Sequence, residues 1–493
     1  MSEPVFTSLF INGASCPAQW KKSYGVHNPA NPEHIVGFAA DASVGDVERA
    51  IAAAKDAHPK WAGLDVSERA DYIRKIAENL KADEGEVAAL AKQFTTEHGK
   101  VLFESTLEVN RFADRFMQVS SFASRLAEEE KISGPAFDTI VTRTGRGVTT
   151  LIVPWNWPLA ILGSKLPQAL LAGNAVVVKL SEYASLTPAI LLAKVAAMLP
   201  AGVMNIITGD GRIIGDTLVG HPDVRQVNFT GSVAIGRHVM MTAAQNITPV
   251  TLELGGNDAG IILEDAVLDD AFFQKLYLAV FLTSGQICMA LKRLYVHEKI
   301  YDDVISGLAA HLDKQRIGSG LVQGVSMGPV NNERQYNVVK SMLDEAKATG
   351  QDIHYYGTID DDEMFQKGYF YRPSLVINAD PSLSVVRDEQ FGPTLPIMSF
   401  KDEAEAILMA NDSELGLSSS VWSQDTNRAV SVARQLEAGF TNINAHGPTA
   451  MDGLSPFGGV KQSGVGRNFG YEGITQFQET HSISGITGAV FGS

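Results

Sequence analysis

The chain of 493 residues is poor in cysteine, with only Cys16 and Cys288. Two thiols cannot build a disulfide framework or a cysteine-rich zinc site, and a reducing, cytoplasmic location is expected. No apolar run reaches about 18 residues, so no membrane span is expected. The opening MSEPVFTSLFING lacks a basic stretch followed by a long apolar one, so no signal peptide is expected. Positive charge is in deficit: 40 Lys and Arg against 56 Asp and Glu leave a net charge of −16, with no basic run. That balance argues against nucleic acid and anionic membrane as partners. Neither G-x-x-x-x-G-K-[ST] nor H-E-x-x-H occurs, so nothing supports P-loop phosphoryl transfer or a zincin. The 11 histidines are scattered and point to no metal site. Tandem repeats and low-complexity tracts are absent.

What is present fits a soluble α/β enzyme of two to four domains, with 45% hydrophobic residues, 19% charged residues and 45 glycines. Val47, Ala50, Ile51 and Ala54 recur at helical spacing after Ser43 and Asp46, which can serve the helix start. Ile73, Ile76, Ala77 and Leu80 do the same after Ser67, and a longer helical region runs from about Glu104 to Lys131. From Val148 short β-rich runs alternate with helices. Strands are expected at Val148–Val153, Ala175–Lys179, Met204–Thr208, Val224–Phe229 and Pro249–Leu252, with helices at Pro188–Met198, Gly211–Val219 and Val233–Met241. Such alternation implies βαβ units and a parallel sheet, whose ligands bind beyond the carboxyl ends of the strands. A second α/β stretch follows from about Asn257, with a strand at Lys292–Val296 and a helix at Ile300–Gln315, and Ile483–Phe491 reads as a β-like tail.

Cys288 follows an apolar helical run, Phe272–Leu282, and a Ser284-Gly285 break. Taken alone it reads either as a small buried hydrophobe or as a thiolate nucleophile. A nucleophile needs partners. Pro154-Trp155-Asn156-Trp157-Pro158 is a rigid turn after an expected strand, and Asn156 there either caps the next helix or aims an amide at developing negative charge. Glu253 ends an apolar strand beside Gly255 and Gly256, as a cap or ion-pair member, or as a semi-buried base acting on water. Gly209-x-Gly211-x-x-x-Gly215 is one residue longer than a dinucleotide fingerprint, whereas Phe229-Thr230-Gly231-Ser232 ends a strand and opens a helix, a natural pyrophosphate seat. Lys179 and Glu182, at another strand end, can meet ribose hydroxyls, and Glu182 would repel a 2′-phosphate.

Together these segments resemble the aldehyde dehydrogenase superfamily over nearly the whole chain. The resemblance rests on Pro154-Trp155-Asn156-Trp157-Pro158, Lys179-x-Ser181-Glu182, Phe229-Thr230-Gly231-Ser232 and Leu252-Glu253-Leu254-Gly255-Gly256-Asn257. It continues through Gly285-Gln286-x-Cys288, Glu389-x-Phe391-Gly392-Pro393, Asn442-x-Asn444 and Ser455-Pro456-Phe457-Gly458-Gly459-x-Lys461-x-Ser463-Gly464. It implies that Cys288 attacks an aldehyde, Asn156 and the Cys288 N–H hold the oxyanion, and Glu253 activates the water that releases the acid, with Lys165 helping to position the site. It implies NAD as cofactor, with NADP less favoured. Lys179 and Glu182 would hold the adenosine ribose, Ser232 the pyrophosphate, Glu389 the nicotinamide ribose, and Phe391 would lie against the ring. Val153, Pro154, Trp155, Ser181, Gly211, Phe229, Thr230, Gly231 and Leu254 complete the expected cofactor positions. The expected substrate pocket comprises Trp157, Ile161, Ile287, Met289, Met451 and Phe457. Its apolar lining, with small Ala160 and Ser164, suits a medium aliphatic or aromatic aldehyde.

The fold implied is α/β: a Rossmann-like NAD-binding domain (1–126 and 146–254), an α/β catalytic domain bearing the thiol (255–445), and a small β oligomerisation flap (127–145 and 471–493). Residues 446–470 would return to line the active site, and a homodimer or homotetramer is expected. Two alternatives use the same scaffold: a CoA-acylating relative, which commonly lacks a carboxylate at the place of Glu253, and a non-catalytic relative, which Cys288, Asn156 and Glu253 together oppose. One position departs from the family pattern. Many members carry Glu after the Arg that is here Arg467, and this chain has Asn468, so a proton-relay role for a second carboxylate does not carry over. Glu479 matches a family Glu for which a structural role is expected.

Overall fold

Residues 4–487 are described by a computed structural model. The chain is organised by two open sheets. The first has eight strands, in the order Gly464–Val465, Val250–Glu253, Val224–Thr230, Val148–Ile152, Ala175–Lys179, Met204–Ile207, Leu9–Ile11 and Ala14–Cys16. The five strands from Val250–Glu253 to Met204–Ile207 are parallel. Both faces of this sheet are covered, so its strands are continuous apolar runs, and every residue of Ala175–Lys179 is buried.

The order in space explains where a ligand can go. Val148–Ile152, the earliest of the parallel strands, lies between Ala175–Lys179 and Val224–Thr230. Connections leave it in opposite directions, and that reversal opens a crevice at the carboxyl ends of the strands. The register aligns Ile152 with both Lys179 and Phe229, and Thr230 with Glu253. Four strands therefore end on one line, facing the same crevice.

The second sheet has seven strands, in the order Asp352–Tyr355, Ser374–Ile377, Thr394–Phe400, Leu291–His297, Asp258–Ile262, Ser418–Trp422 and Phe440–Ile443. All are parallel except the first, which is antiparallel to its neighbour. The segment 446–470 joins the first sheet to a separate two-stranded sheet formed just ahead of Ser418–Trp422. Its strand Gly464–Val465 pairs with Val250–Glu253, and its strand Val460–Lys461 pairs with Leu415–Gly416.

Two local expectations need correction. The helical periodicity from Glu104 to Lys131 resolves into a helix Leu102–Ser120, a short helix Ala123–Ala127 and a strand Glu130–Ser133. That strand pairs with Phe137–Gly145, which pairs in turn with Gln478–Ile486, giving a separate antiparallel sheet from two distant segments. Residues 488–493 of the expected flap lie outside the described residues. The helix expected after Ser67 starts earlier, at Val66, because the Glu68 carboxylate accepts the Asp65 N–H at 2.9 Å and closes the first turn. The helix Val44–Ala62 begins as expected, with Ser43 and Asp46 forming a reciprocal capping box. Among the described residues no helix is long and apolar enough to cross a membrane.

Candidate active site

The thiol is presented by a backbone that most residues avoid. After the helix Asp270–Phe281 the chain turns through Thr283 and Ser284, with φ of 52° and 54°, and Gly285, with φ of 75°. Left-handed backbone costs a non-glycine residue roughly 1–2 kcal/mol, so the surroundings must hold it. Thr283 N–H donates to Glu104 Oε1 at 2.6 Å, Ser284 Oγ donates to the Gly328 carbonyl at 2.7 Å, and Trp157 Nε1 donates to Thr283 Oγ1 at 3.0 Å. A Cβ at Gly285 would collide with the Gly392 carbonyl, so only glycine completes the turn. Lys292 then gathers the chain on the other side of the thiol. Its ammonium donates to the carbonyls of Ile287 at 2.8 Å and Cys288 at 2.7 Å, and lies 3.7 Å from Glu389 Oε1.

Cys288 lies deep in the protein but remains partly open to the site. Burial pushes its thiol up to about 12; Lys292 pulls it down, whereas the nearby carboxylates Glu389, Glu253 and Asp258 push the same way as burial. The resting group is therefore a thiol, and its attack on a carbonyl requires loss of its proton.

Asn156 is not a helix cap. The helix Pro158–Gly163 is preceded by Trp157, which makes no side-chain cap bond, while Asn156 Nδ2 donates to the Gln286 carbonyl at 2.9 Å, two residues before Cys288. One N–H of the amide is thus fixed on the loop that carries Cys288. The turn is held from behind by the helix Leu102–Ser120. Glu108 Oε1 accepts the N–H groups of Leu159 at 2.8 Å and Ala160 at 3.2 Å, and Lys100 Nζ donates to the Asn156 carbonyl at 2.9 Å and pairs with Glu108. Glu104 and Glu108, one turn apart on the same helix, therefore brace the thiol turn and the amide turn respectively. Removing one member of the buried Lys100–Glu108 pair leaves an uncompensated charge, a loss of roughly 3–5 kcal/mol in such pairs.

Glu253 ends its strand with the carboxylate buried. Oε1 accepts from Asn468 Nδ2 at 3.1 Å, while Oε2 has no hydrogen-bond partner. Burial raises this carboxyl to about 7, against the pull of Lys165, the Asn468 N–H and Arg467. A carboxylate so placed is a base near neutral pH with one oxygen to spare. Lys165 is fully buried and donates to Asn228 Oδ1; burial lowers its ammonium to about 8, with Glu253 and then Cys288 opposing the shift.

A cleft runs from this point along the strand ends. One cavity of about 690 Å³ is lined by Val153, Pro154, Lys179, Ser181, Glu182, Gly211, Phe229, Thr230, Gly231 and Ser232. A second of about 340 Å³ shares Pro154, Ser181, Thr230, Gly231 and Ser232 with it and continues past Trp155, Asn156 and Leu254 to Cys288, Glu389 and Phe391. The structure thus brings every expected cofactor position to one continuous cleft with the thiol at its end. Lys179 Nζ and Glu182 Oε2 stand 3.3 Å apart. Ser232 is the N-cap of the helix Val233–Ala244 and accepts the Ile235 N–H at 3.4 Å. Trp155 meets Phe391 edge to face with ring centroids 5.6 Å apart. The Glu389 carboxyl is raised to about 7 by burial, against Lys292 and the Gly256 N–H, which donates to its Oε1 at 3.2 Å.

Across from the cleft, Trp157, Ile287, Met289, Phe457 and Phe469 form an apolar cluster, with Ala160, Ile161, Met451, Leu107 and Cys288 packed against it. All six expected pocket positions fall in this group. Ser164 does not; its hydroxyl donates to the Ile161 carbonyl of its own helix at 2.7 Å. Arg111 and Arg115 approach the same region, but Arg111 donates to the Pro448 carbonyl at 3.0 Å and Arg115 to the Asp452 carbonyl, so both pin the loop. Glu479 pairs with Arg146 in the small sheet, away from the thiol. Sequence reasoning missed Lys292, Lys100, Glu104, Glu108 and Asn228. A pair of charged residues between apolar runs, as Lys292 and Arg293 are between Met289–Leu291 and Leu294–Val296, is the signal that could have found the first.

Comparison with known proteins gives one result throughout. The model described as "Aldehyde dehydrogenase family" matches residues 17–483. The chain is 34% identical over 489 residues to lactaldehyde dehydrogenase of Escherichia coli (strain K12), covering 98% of this chain and 99% of that protein. It is 36% identical over 496 residues to the chloroplastic betaine aldehyde dehydrogenase of Beta vulgaris, covering 98% and 97%. The crystal structure of betaine aldehyde dehydrogenase from Staphylococcus aureus in complex with NAD+ superposes with a TM-score of 0.91 at 32% identity, covering 99% of this chain and 96% of that one.

Proposed function

The chain belongs to the aldehyde dehydrogenase family, and on that premise we propose that it oxidises an aldehyde to its carboxylic acid with NAD, through a thiohemiacetal and a thioester on Cys288. The observation that carries this reading is the meeting of a thiol and a fixed amide donor at the end of a dinucleotide-sized cleft, with the buried carboxylate of Glu253, one oxygen unpartnered, directly before the cleft residue Leu254. The cleft suits the cofactor's chemistry. Thr230 Oγ1 is buried there without a partner, and a Cβ at Gly255 would strike the Glu389 carboxylate, which keeps that wall open. Lys179 and Glu182 are the proposed ribose ligands, the Thr230–Ser232 turn at a helix N-terminus seats the pyrophosphate, and Glu389 takes the second ribose. When bound, NAD supplies the acceptor for the aldehyde hydride.

The chain's own residues do the rest. As Cys288 sulfur bonds to the aldehyde carbon, its proton passes to solvent on the open side of the site, and the carbonyl oxygen becomes an oxyanion received by the free Asn156 N–H and the Cys288 backbone N–H. Loss of hydride restores the carbonyl as a thioester. Ionised Glu253 takes a proton from water, the water oxygen bonds to the thioester carbon, and the C–S bond breaks with its electrons on sulfur, which takes the proton from Glu253 as the acid is released. Truncating Asn156 to Ala should lower kcat by roughly 10²–10³-fold, about 3–4 kcal/mol of transition-state stabilisation, with NAD affinity retained; equilibrium NAD binding alongside steady-state rates checks it.

The apolar cluster beside Cys288 supports a medium aliphatic or aromatic aldehyde as substrate, because the arginines near the loop are engaged by backbone carbonyls. A panel of straight-chain, aromatic, amino and carboxylated aldehydes, scored by kcat/KM for NADH formation, tests this; a preference for a charged aldehyde would contradict it. Glu182 in the cleft should disfavour NADP, and Glu182→Gln should raise kcat/KM for NADP roughly tenfold by removing charge repulsion. Unaltered NADP kinetics in that variant would contradict the assignment. The free thiol fits a cytoplasmic enzyme. Exposed Ile132, Phe137, Ile483 and Ile486 on the small sheet fit its use as a flap between subunits of a homodimer or homotetramer. The proposed division is 1–126 with 146–254 for the cofactor, 255–445 for the thiol, and 446–470 as the returning segment.

A further inference from the structure

A buried line of two carboxamides joins Lys165 to Glu253. Lys165 Nζ donates to Asn228 Oδ1, Asn228 Nδ2 donates to Asn468 Oδ1 at 3.0 Å, and Asn468 Nδ2 donates to Glu253 Oε1 at 3.1 Å. All four side chains are buried, at 0%, 0%, 2% and 6% exposure along that order. The two ends fix the direction of the line. An ammonium has only donors and a carboxylate only acceptors, so each amide must turn its oxygen toward Lys165 and its N–H toward Glu253. The backbone leaves Asn468 no freedom to shift, because its N–H donates to the Phe457 carbonyl and its carbonyl accepts the Phe457 N–H, both at 2.8 Å.

We propose that Asn468 is a positioning residue that gives the two oxygens of Glu253 different tasks: Oε1 only accepts from the amide, and Oε2 alone exchanges a proton with the hydrolytic water. The proposal rests on Glu253 acting as the base that hydrolyses the thioester. A proton on Oε1 would face the N–H of Asn468, whereas Oε2 has no protein partner to compete with water. In the step itself, a water O–H bond breaks and its proton moves to Oε2, the water oxygen bonds to the thioester carbon, and the C–S bond breaks with its electrons on sulfur. The proton then leaves Oε2 for the Cys288 thiolate, which restores the resting thiol. It does not leave through Asn468, since a carboxamide donates and accepts hydrogen bonds without carrying a proton onward.

The test uses Asn468→Asp and Asn468→Ala in the full-length protein with benzaldehyde and NAD. In a single turnover with aldehyde limiting, NADH absorbance follows acylation. Mass spectrometry of quenched samples follows the lifetime of the acyl adduct on Cys288. Both variants should acylate within about twofold of the unaltered rate, yet keep the adduct at least tenfold longer at neutral pH. The pH midpoint of adduct decay should rise by about one unit or more, furthest in Asn468→Asp, where two carboxyl groups would share one site. If Asn468→Asp does not fold, Asn468→Ala alone carries the comparison. An unchanged midpoint and adduct lifetime would overturn the proposal, as would equal losses of acylation and decay in a variant with unaltered thermal stability. Absence of any adduct in Glu253→Gln would instead sink the underlying thioester reading.

Discussion

Cys288→Ala is expected to bind NAD and to form no NADH from any aldehyde, a loss of at least about 10⁴-fold in kcat of the size seen when a covalent nucleophile is removed. The fold should survive, because the turn that carries the thiol is held by groups that do not involve its sulfur. Thr283 is fixed by Glu104 and Trp157, Ser284 by the Gly328 carbonyl, and the segment beyond by Lys292. Burial keeps the thiol protonated at rest, so the reactivity being removed belongs to the assembled site and not to a free thiolate. Alkylation should follow the same chemistry: iodoacetamide should label Cys288 of the unaltered protein only slowly at neutral pH and faster as pH rises, abolishing turnover in step with the label, while the variant retains only Cys16. A variant that still oxidises aldehydes would remove Cys288 from the mechanism altogether.

Glu253→Gln should separate the two halves of the reaction. Glutamine can still accept the Asn468 N–H through its oxygen but cannot take a proton from water. The variant is expected to give a burst of NADH approaching one per active site, followed by steady turnover slowed by roughly 10²–10⁴-fold, the usual worth of a positioned base. The pH dependence should change as well. Burial holds the Glu253 carboxyl at about 7; below that pH it is protonated and cannot accept from water, and above it the carboxylate is available. Hydrolysis in the unaltered protein should therefore rise as pH increases through about 7, and that rise should disappear in Glu253→Gln. Since Cys288 attack also gives up a proton, a burst slowed alongside turnover would show that Glu253 serves both steps.

Much of the crevice was legible in the sequence because its parts are short and local. Valine-rich strands such as Ala175–Lys179 end in polar residues and turns within the same few positions, and parallel pairing brings those ends into line. The supports were not legible, because each depends on contacts far apart in the chain. Nothing near Glu104 announces that it caps the N–H of Thr283, nor near Asn228 that it stands between Lys165 and Asn468. Periodicity misled at Glu130–Ser133, where four residues take strand geometry only because Phe137–Gly145 is there to pair with them, itself completed by Gln478–Ile486. Asn156 was ambiguous for a related reason: the sequence offers it as a cap of the next helix, and only its bond to the Gln286 carbonyl across the site removes that reading.

The central claim is a thioester on Cys288 whose hydrolysis needs Glu253, and intact-protein mass spectrometry of Glu253→Gln mixed with benzaldehyde and NAD tests it most directly. The account predicts one added acyl group, equal to the mass of the aldehyde less two hydrogens, located on the Cys288 peptide and removed by hydroxylamine. NADH formation without that adduct, or an adduct on Cys16, would contradict it.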